Sequence, residues 1–189
     1  MCTEMKLSQN FKDVMKRYEM GFLNEYRECT FREDVPVINI SGKKYGPFVA
    51  GESTTLPNWV IENLLKHEKV DISSGDAYES IRKLQNLSRE EEKHPHALQT
   101  FQPYLYAAIA RKTLRLESDK TSMDPRKYDE VEKLRKITPI LVETRLSKIL
   151  RVAKSGAYLE KRNQMAHEER WLCEELVELL SGWRQNVME

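Results

Sequence analysis

The sequence predicts an α+β chain: a mainly helical α-domain of helix-bundle type, preceded by a small β-rich domain and an N-terminal helix. Three observations predict it. Apolar residues recur at helical spacing over most of the chain after residue 74. Between about Glu28 and Asp71 the texture changes to β-branched residues interrupted by glycine and proline. The composition, 32% charged and 8% aromatic with few glycines and prolines, suits a helical globular protein and lies far from the profile of disorder. The boundaries that follow are 1–27 for the amphipathic helix, 28–73 for the β-rich domain and 74–189 for the α-domain.

Residues 5–23 carry Leu7, Phe11, Val14, Met15, Tyr18 and Phe22 at helical spacing, with lysines and Arg17 between them. This stripe needs a partner surface, either the rest of the chain or another subunit. Val35-Pro36-Val37-Ile38-Asn39-Ile40 reads as a strand, and Ser41-Gly42-Lys43-Lys44 supplies its turn. Tyr45-Gly46-Pro47-Phe48 cannot lie in a central strand, because Pro47 has no donor. Ala50-Gly51-Glu52 is a second turn, and Pro57 suits the first turn of a helix over 57–67. Val70-Asp71-Ile72 closes the domain as a strand. A core of some 45 residues is marginal by itself, so this domain is expected to lean on the helical part or on a neighbour.

The α-domain is expected to begin with a helix over 76–87, capped by Ser74 and turning Ala77, Ile81 and Leu84 inward. Ser88 and Glu91 have the form of a capping box, and 89–102 reads as a surface connection around the charge run Glu90-Glu91-Glu92-Lys93 and Pro95. Pro103 opens the next helix. Asp124-Pro125 starts a long one that ends near Gly156, with Pro139 expected to kink or split it. A last helix runs over 167–187, with Trp171, Leu172, Leu176, Leu179, Leu180 and Trp183 at core spacing.

Charge excludes some roles and localises others. The formal net charge of +1 lacks the basic excess of a protein that coats nucleic acid. Residues 124–162 hold 11 basic and 6 acidic side chains, a net of +5, and residues 163–189 hold 2 and 6, a net of −4. Packed together, two such helices attract. The series Arg145, Lys148, Arg151, Lys154 winds about half-way round a helix. A solvated surface, contact with an acidic subunit and contact with DNA phosphates are its three readings. Cys2, Cys29 and Cys173 are odd in number and far apart, which suggests free thiols in a reducing compartment. Charges near the N-terminus interrupt any apolar signal core, and no stretch has the roughly 20 apolar residues of a membrane span. The expectation is an intracellular protein without a membrane.

Chemistry is sparse. Gly42-Lys43-Lys44 lacks the upstream glycine of a phosphate-binding loop. His94-Pro95-His96 could hold a metal only with ligands from elsewhere. His167-Glu168-Glu169 resembles the opening of a zinc-protease helix, but no histidine follows at the required spacing. Cys173, on an apolar helical face, reads as a buried structural thiol. No catalytic residue, metal or cofactor is expected, and the chain reads as not an enzyme.

Tyr45-Gly46-Pro47-Phe48, Gly51 and Leu56-Pro57-Asn58-Trp59-Val60 leading to Val70-Asp71-Ile72 together resemble the small β-domain of GINS complex subunits. Thr100-Phe101-Gln102-Pro103-Tyr104, the stretch 143–151, Glu168-Glu169-Arg170-Trp171-Leu172 and Trp183-Arg184 are similar to successive pieces of their α-domain. The likeness spans about 28–185 in matching order and is of the type with the small domain first. The length looks archaeal. The N-terminal helix up to Tyr26 departs from the pattern. The resemblance implies a tetramer of two subunit types that binds the MCM helicase and a RecJ/Cdc45-like protein at the replication fork. Primase or DNA polymerase would be further contacts, DNA contact would be weak or indirect, and the location cytoplasmic and nucleoid-associated. In that setting the subunit-interface candidates are Tyr104, Tyr106, Tyr128, Trp171 and Trp183, as aromatic anchors, with Arg145, Lys148 and Arg151 from the basic series. Core packing is the competing reading for each aromatic residue, and a nucleic-acid-binding module using the basic 126–162 helix is the competing function.

Overall fold

The computed structural model describes residues 4–40, 42–118 and 125–188, with side chains from Phe11 onward except at Ile40. Cys2, Ser41, Asp124 and the side chain of Leu7 lie outside the described residues. Within them the chain is α+β and mainly helical. It divides into two compact units, Glu19–Tyr78 and a second one of Met1–Tyr18 with Glu79–Glu189. The first helix, α1 (Glu4–Asn24), contributes to both.

The smaller unit is built on β1 (Tyr26–Phe31), a strand unmarked in the sequence reading. It pairs antiparallel with β4 (Ser53–Pro57) on one side and β5 (Val70–Ile72) on the other. Between them, β2 (Ile38–Ile40) and β3 (Lys43–Tyr45) form a separate hairpin. Helix α2 (Asn58–Lys66) starts directly after Pro57, as the missing proline donor predicts. Cys29, Phe31, Val35, Phe48, Leu56, Val60, Ile61, Leu64 and Val70 make the core. Phe48 stacks on Phe31 at 4.2 Å, and the Gly46–Pro47 bond before it is cis, so this segment stays out of the central sheet as expected. Buried Asn58 ties three elements together: its Oδ1 accepts Arg27 Nε (2.6 Å) and its Nδ2 donates to the Phe22 carbonyl at the end of α1 (2.8 Å).

The larger unit is a bundle around one long helix. Its helices are α3 (Ile81–Lys93), α4 (Leu105–Ser118), α5 (Pro125–Ser155), the short α6 (Tyr158–Lys161) and α7 (His167–Met188). Helices α3, α4 and α7 all pack on α5. Two expectations need correction, and of the kink or split expected at Pro139 the split does not occur. The helix expected over 76–87 begins only at Ile81, because residues 73–76 are bound to β1: Asp76 Oδ2 accepts the Glu28 N–H (2.8 Å) and the Glu28 carbonyl accepts the Ser73 N–H. That helix also runs on to Lys93, so Ser88 caps nothing and the charge run is helical. It stops at His94, where Pro95 disfavours a further helical residue. Pro139 does not split α5. It removes one backbone donor, and the buried residues Leu134 and Leu141 on either side hold the helix through the gap.

Candidate functional site

The inward rows of the bundle carry charges where leucines are expected. Arg145 sits between Leu141 and Ile149 at four-residue steps along α5, and Lys148 lies seven residues after Leu141. Glu91 occupies the position seven residues after fully buried Leu84 on α3, and Glu169 lies four before Cys173 on α7. Each therefore points into the core. Arg145 and Glu91 are both 0% exposed.

They meet there with every donor used. Arg145 donates from Nε to Glu169 Oε1 (2.8 Å) and from Nη2 to Glu169 Oε2 (2.6 Å), the bidentate fork that guanidinium geometry favours. Its Nη1 reaches Glu91 Oε1 (2.7 Å) and the Gln99 carbonyl (2.9 Å), and Nη2 also reaches the Gln164 carbonyl (3.1 Å). Lys148 Nζ donates to Glu91 Oε2, to the Glu91 carbonyl (2.7 Å) and to the Ala97 carbonyl (2.8 Å). Tyr106 donates its hydroxyl to Glu169 Oε1 (2.7 Å), and the Arg145 guanidinium lies 3.8 Å from the Phe101 ring centre. Two cations and two carboxylates cancel. Burial opposes the charge on Arg145, but its bonds to Glu169 and the charges of Glu169 and Glu91 outweigh this and hold its pKa above the ordinary value. Burial and Glu169 push the Tyr106 phenol well above its own. The arrangement locks three helices and two loops.

Glu168, beside the cluster, is a carboxylate outside that balance. Its Oε1 accepts the Ala107 N–H (3.2 Å), whereas its Oε2 is buried without a partner. Burial raises its pKa from an ordinary 4.5 to about 7; hydrogen bonds from its own backbone N–H and that of Ala107 oppose the shift, and the charge of Glu169 adds to it. An acid raised on folding binds its proton more tightly folded than unfolded. Its ionisation therefore costs no stability below about pH 4.5 and reaches full cost above about pH 7. Unfolding free energy is expected to fall as pH rises through that window, by on the order of 3 kcal/mol from this group. Urea titrations at pH 5 and pH 8 check this. Glu168→Gln is expected to remove that component, and an unchanged pH response in the variant would refute the assignment.

The eight interface candidates separate into three groups. Arg145, Lys148 and Tyr106 are spent inside the bundle. Arg145 and Lys148 are buried, at 0% and 4% exposure, and not on the surface that all three readings of the basic series assume. Tyr104 and Trp171 are half-buried, against His167 (ring centres 4.8 Å) and Phe11 (5.6 Å). Tyr128, Arg151 and Trp183 face outward. Tyr128 is 71% exposed on α5, Trp183 is 62% exposed on α7, and Arg151 Nη1 contacts His96 Nδ1 at 2.6 Å. The stacking of α1 on α7 through Phe11–Trp171 and Tyr18–His167 places the N-terminal stripe against its own chain.

The outward face of α7 corrects the core spacing expected for Leu179 and Trp183. Leu176, Leu179, Leu180, Trp183 and Val187 share a sector of about 100°. Leu176 and Leu180 pack on the core of Leu98, Ile149, Ala153, Met165 and Cys173. Leu179, Trp183, Val187 and Met188 are exposed. Leu179 lies at the outer edge of the stripe, beside covered Leu180, and Val187 and Met188 follow Arg184, whose Nη2 donates to the Lys154 carbonyl (3.1 Å) next to the end of α5 at Ser155. The stripe is therefore covered along one edge and exposed along the other and at its end. Among the described residues no cluster of histidine, cysteine or carboxylate side chains could hold a metal, and no helix is long and apolar enough to cross a membrane. No protein-family model and no curated protein matches the chain.

Proposed function

We propose that this chain is a non-enzymatic scaffold subunit of a GINS-type complex, which binds the MCM helicase and a RecJ/Cdc45-like protein and supports DNA unwinding at the replication fork. The observation that carries the reading is the exposed edge of the α7 stripe, Leu179, Trp183 and Val187. Contiguous exposed apolar surface on a rigid helix is the mark of a protein interface, and Trp183 at its centre is the residue type that dominates interface energetics. Tyr128 and Ile140 are exposed singly on α5. The succession of parts, a small β-rich unit followed by a helical bundle, agrees with the family resemblance in residues 28–185. The buried ions support a structural role, since they neutralise one another and leave no reactive group at the surface. The rival nucleic-acid reading is weakened at its source: of the basic series only Arg151 and Lys154 remain exposed.

The test is the mass of the assembly that forms around a tagged copy of the chain in its native extract. The expected result is a stable heterotetramer of two subunit types, with MCM and a RecJ/Cdc45-like protein recovered at low salt. A monodisperse monomer without partners would overturn the proposal. Tight binding of DNA by the lone chain, with affinity falling steeply as salt rises, would favour the nucleic-acid module instead.

A further inference from the structure

We propose that a cavity of about 230 Å³ beside the end of α5 is a binding site for a terminal phosphate dianion, carried by inorganic phosphate or by a small phosphate monoester. His96 lines it from the loop after α3, Arg151 from α5 and Lys161 from the end of α6, with Leu98 and Val152 as apolar wall. His96 and Arg151 are exposed and Lys161 is half-buried, so all three can meet a solute. Two further lining groups are spent. The Lys148 ammonium is held by Glu91 and by two carbonyls, and the Ser155 hydroxyl donates to the Val152 carbonyl (3.1 Å).

Arg151 is bonded unlike other exposed arginines of the chain. Arg32 and Arg135 are closed by Asp71 and Glu117, whereas Arg151 Nη1 donates to His96 Nδ1 (2.6 Å). That contact sets the guanidinium and the imidazole side by side at the cavity. A guanidinium has no acceptor atom, so His96 Nδ1 is the bare nitrogen and Nε2 carries the proton. The ring is then a neutral donor. Among the described residues neither Arg151 nor Lys161 has a carboxylate within ion-pair distance, and no carboxylate lines the cavity.

The charges sharpen the choice of ligand. The dipole of α5 places roughly half a negative charge at its last turn, and Lys154 on that turn answers it. Arg151 and Lys161 therefore remain as two positive charges around one small space. A phosphate dianion cancels both. It offers its oxygens to the guanidinium fork, to the ammonium and to the His96 Nε2–H. A carboxylate or a phosphate diester carries a single charge and leaves one cation unanswered. The space is smaller than the roughly 300–1,000 Å³ of cofactor and drug sites, so an ester group against Leu98 and Val152 has a few carbons. No residue of the exposed α7 stripe lines the cavity, and the site is independent of the assembly reading.

The experiment follows the histidine Cε1–Hε1 resonances of the full-length protein, with that of His96 assigned by its loss in His96→Gln. Four probes are titrated at pH 7.5 in about 0.15 M NaCl, where distant surface charges are screened: inorganic phosphate, n-propyl phosphate, diethyl phosphate and butyrate. The His96 resonance is expected to move with both dianions at a Kd below about 1 mM, and with the diester and butyrate at least about tenfold more weakly. Tighter binding of propyl phosphate than of inorganic phosphate identifies a monoester as the occupant; equal binding of these two identifies inorganic phosphate. Arg151→Gln and Lys161→Gln are each expected to weaken the dianions by about tenfold. Lys44→Gln, on the β2–β3 hairpin, is expected to change nothing; a similar loss there would mean attraction to net charge alone and overturn the site. Diethyl phosphate binding as tightly as the dianions would assign the cavity to a nucleic-acid backbone and overturn the proposal. Butyrate binding as tightly, or a His96 resonance unmoved by either dianion up to about 10 mM, overturns it too. These last outcomes are read on the wild-type chain.

Discussion

Arg145→Met is expected to lower the unfolding free energy by about 3–5 kcal/mol. The loss does not measure the strength of one ion pair. Removing the guanidinium leaves two carboxylates, Glu91 and Glu169, facing each other in the core with only Lys148 to neutralise them. It also strips a donor each from the Gln99 and Gln164 carbonyls. Arg145→Lys is not conservative here, because one ammonium cannot reproduce a bidentate contact to Glu169 while reaching Glu91 and two carbonyls. Urea unfolding followed by circular dichroism reads the effect. A control separates charge from packing: Arg145→Met combined with Glu169→Leu is expected to recover a large part of the loss, because the Lys148–Glu91 pair then remains and no charge of the cluster is buried without a partner. A loss under about 1 kcal/mol for Arg145→Met would mean that the cluster is hydrated or absent in solution.

Trp183→Glu is expected to do the opposite, leaving the fold intact and breaking the assembly. Trp183 is 62% exposed, so its loss should move unfolding free energy by no more than about 0.5 kcal/mol. Under the proposed function it is the anchor of an interface, where truncation of a central tryptophan costs about 2 kcal/mol or more, a loss of roughly 30-fold in affinity. A charge in its place adds a desolvation cost. Leu179→Glu, one turn earlier on the same stripe, is expected to act alike. Light scattering of the co-expressed complex after gel filtration reads the outcome. Undiminished assembly by both variants would remove the α7 face from the interface.

Long, strongly periodic elements were legible in the sequence. The span of α1 came from its apolar stripe, and α5 was bracketed by Pro125 and Gly156, within one residue of its observed end. The start of α7 at His167 and the helix after Pro57 were readable for similar reasons. The short strands β1 and β4 were not. Tyr26–Phe31 mixes Arg27, Glu28 and Cys29 with two aromatics, and its strand character comes from two flanking partners about 25 and 45 residues away. The start of α3 was misplaced because Asp76 answers to a backbone donor on β1, a contact no local pattern encodes.

The buried cluster was the chief omission, and a signal for it existed. Reading by composition made Glu90-Glu91-Glu92-Lys93 a solvated run. Reading by row would have set Glu91 in line with Leu84, Arg145 in line with Leu141 and Ile149, and Glu169 in line with Cys173 and Leu176. Charges of both signs on inward rows of three helices are the trace of an internal ion cluster. The covered and exposed residues of α7 could not be told apart in this way, since Leu176, Leu179, Leu180 and Trp183 belong to one stripe and only the neighbouring helices decide which of them are covered.

The cluster also fixes how the three helices can slide past one another. An all-leucine seam tolerates a slip of one turn at little cost, because one methyl group replaces another. Here a one-turn shift of α7 would set Cys173 in front of the guanidinium and carry Glu169 away from it. A similar shift of α3 would withdraw Glu91 from Arg145 and Lys148 together. One alignment neutralises all four ions, and each neighbouring alignment strands at least one of them. The bundle thus has a single vertical setting, and whatever face α7 presents to the outside is held at a defined height and rotation.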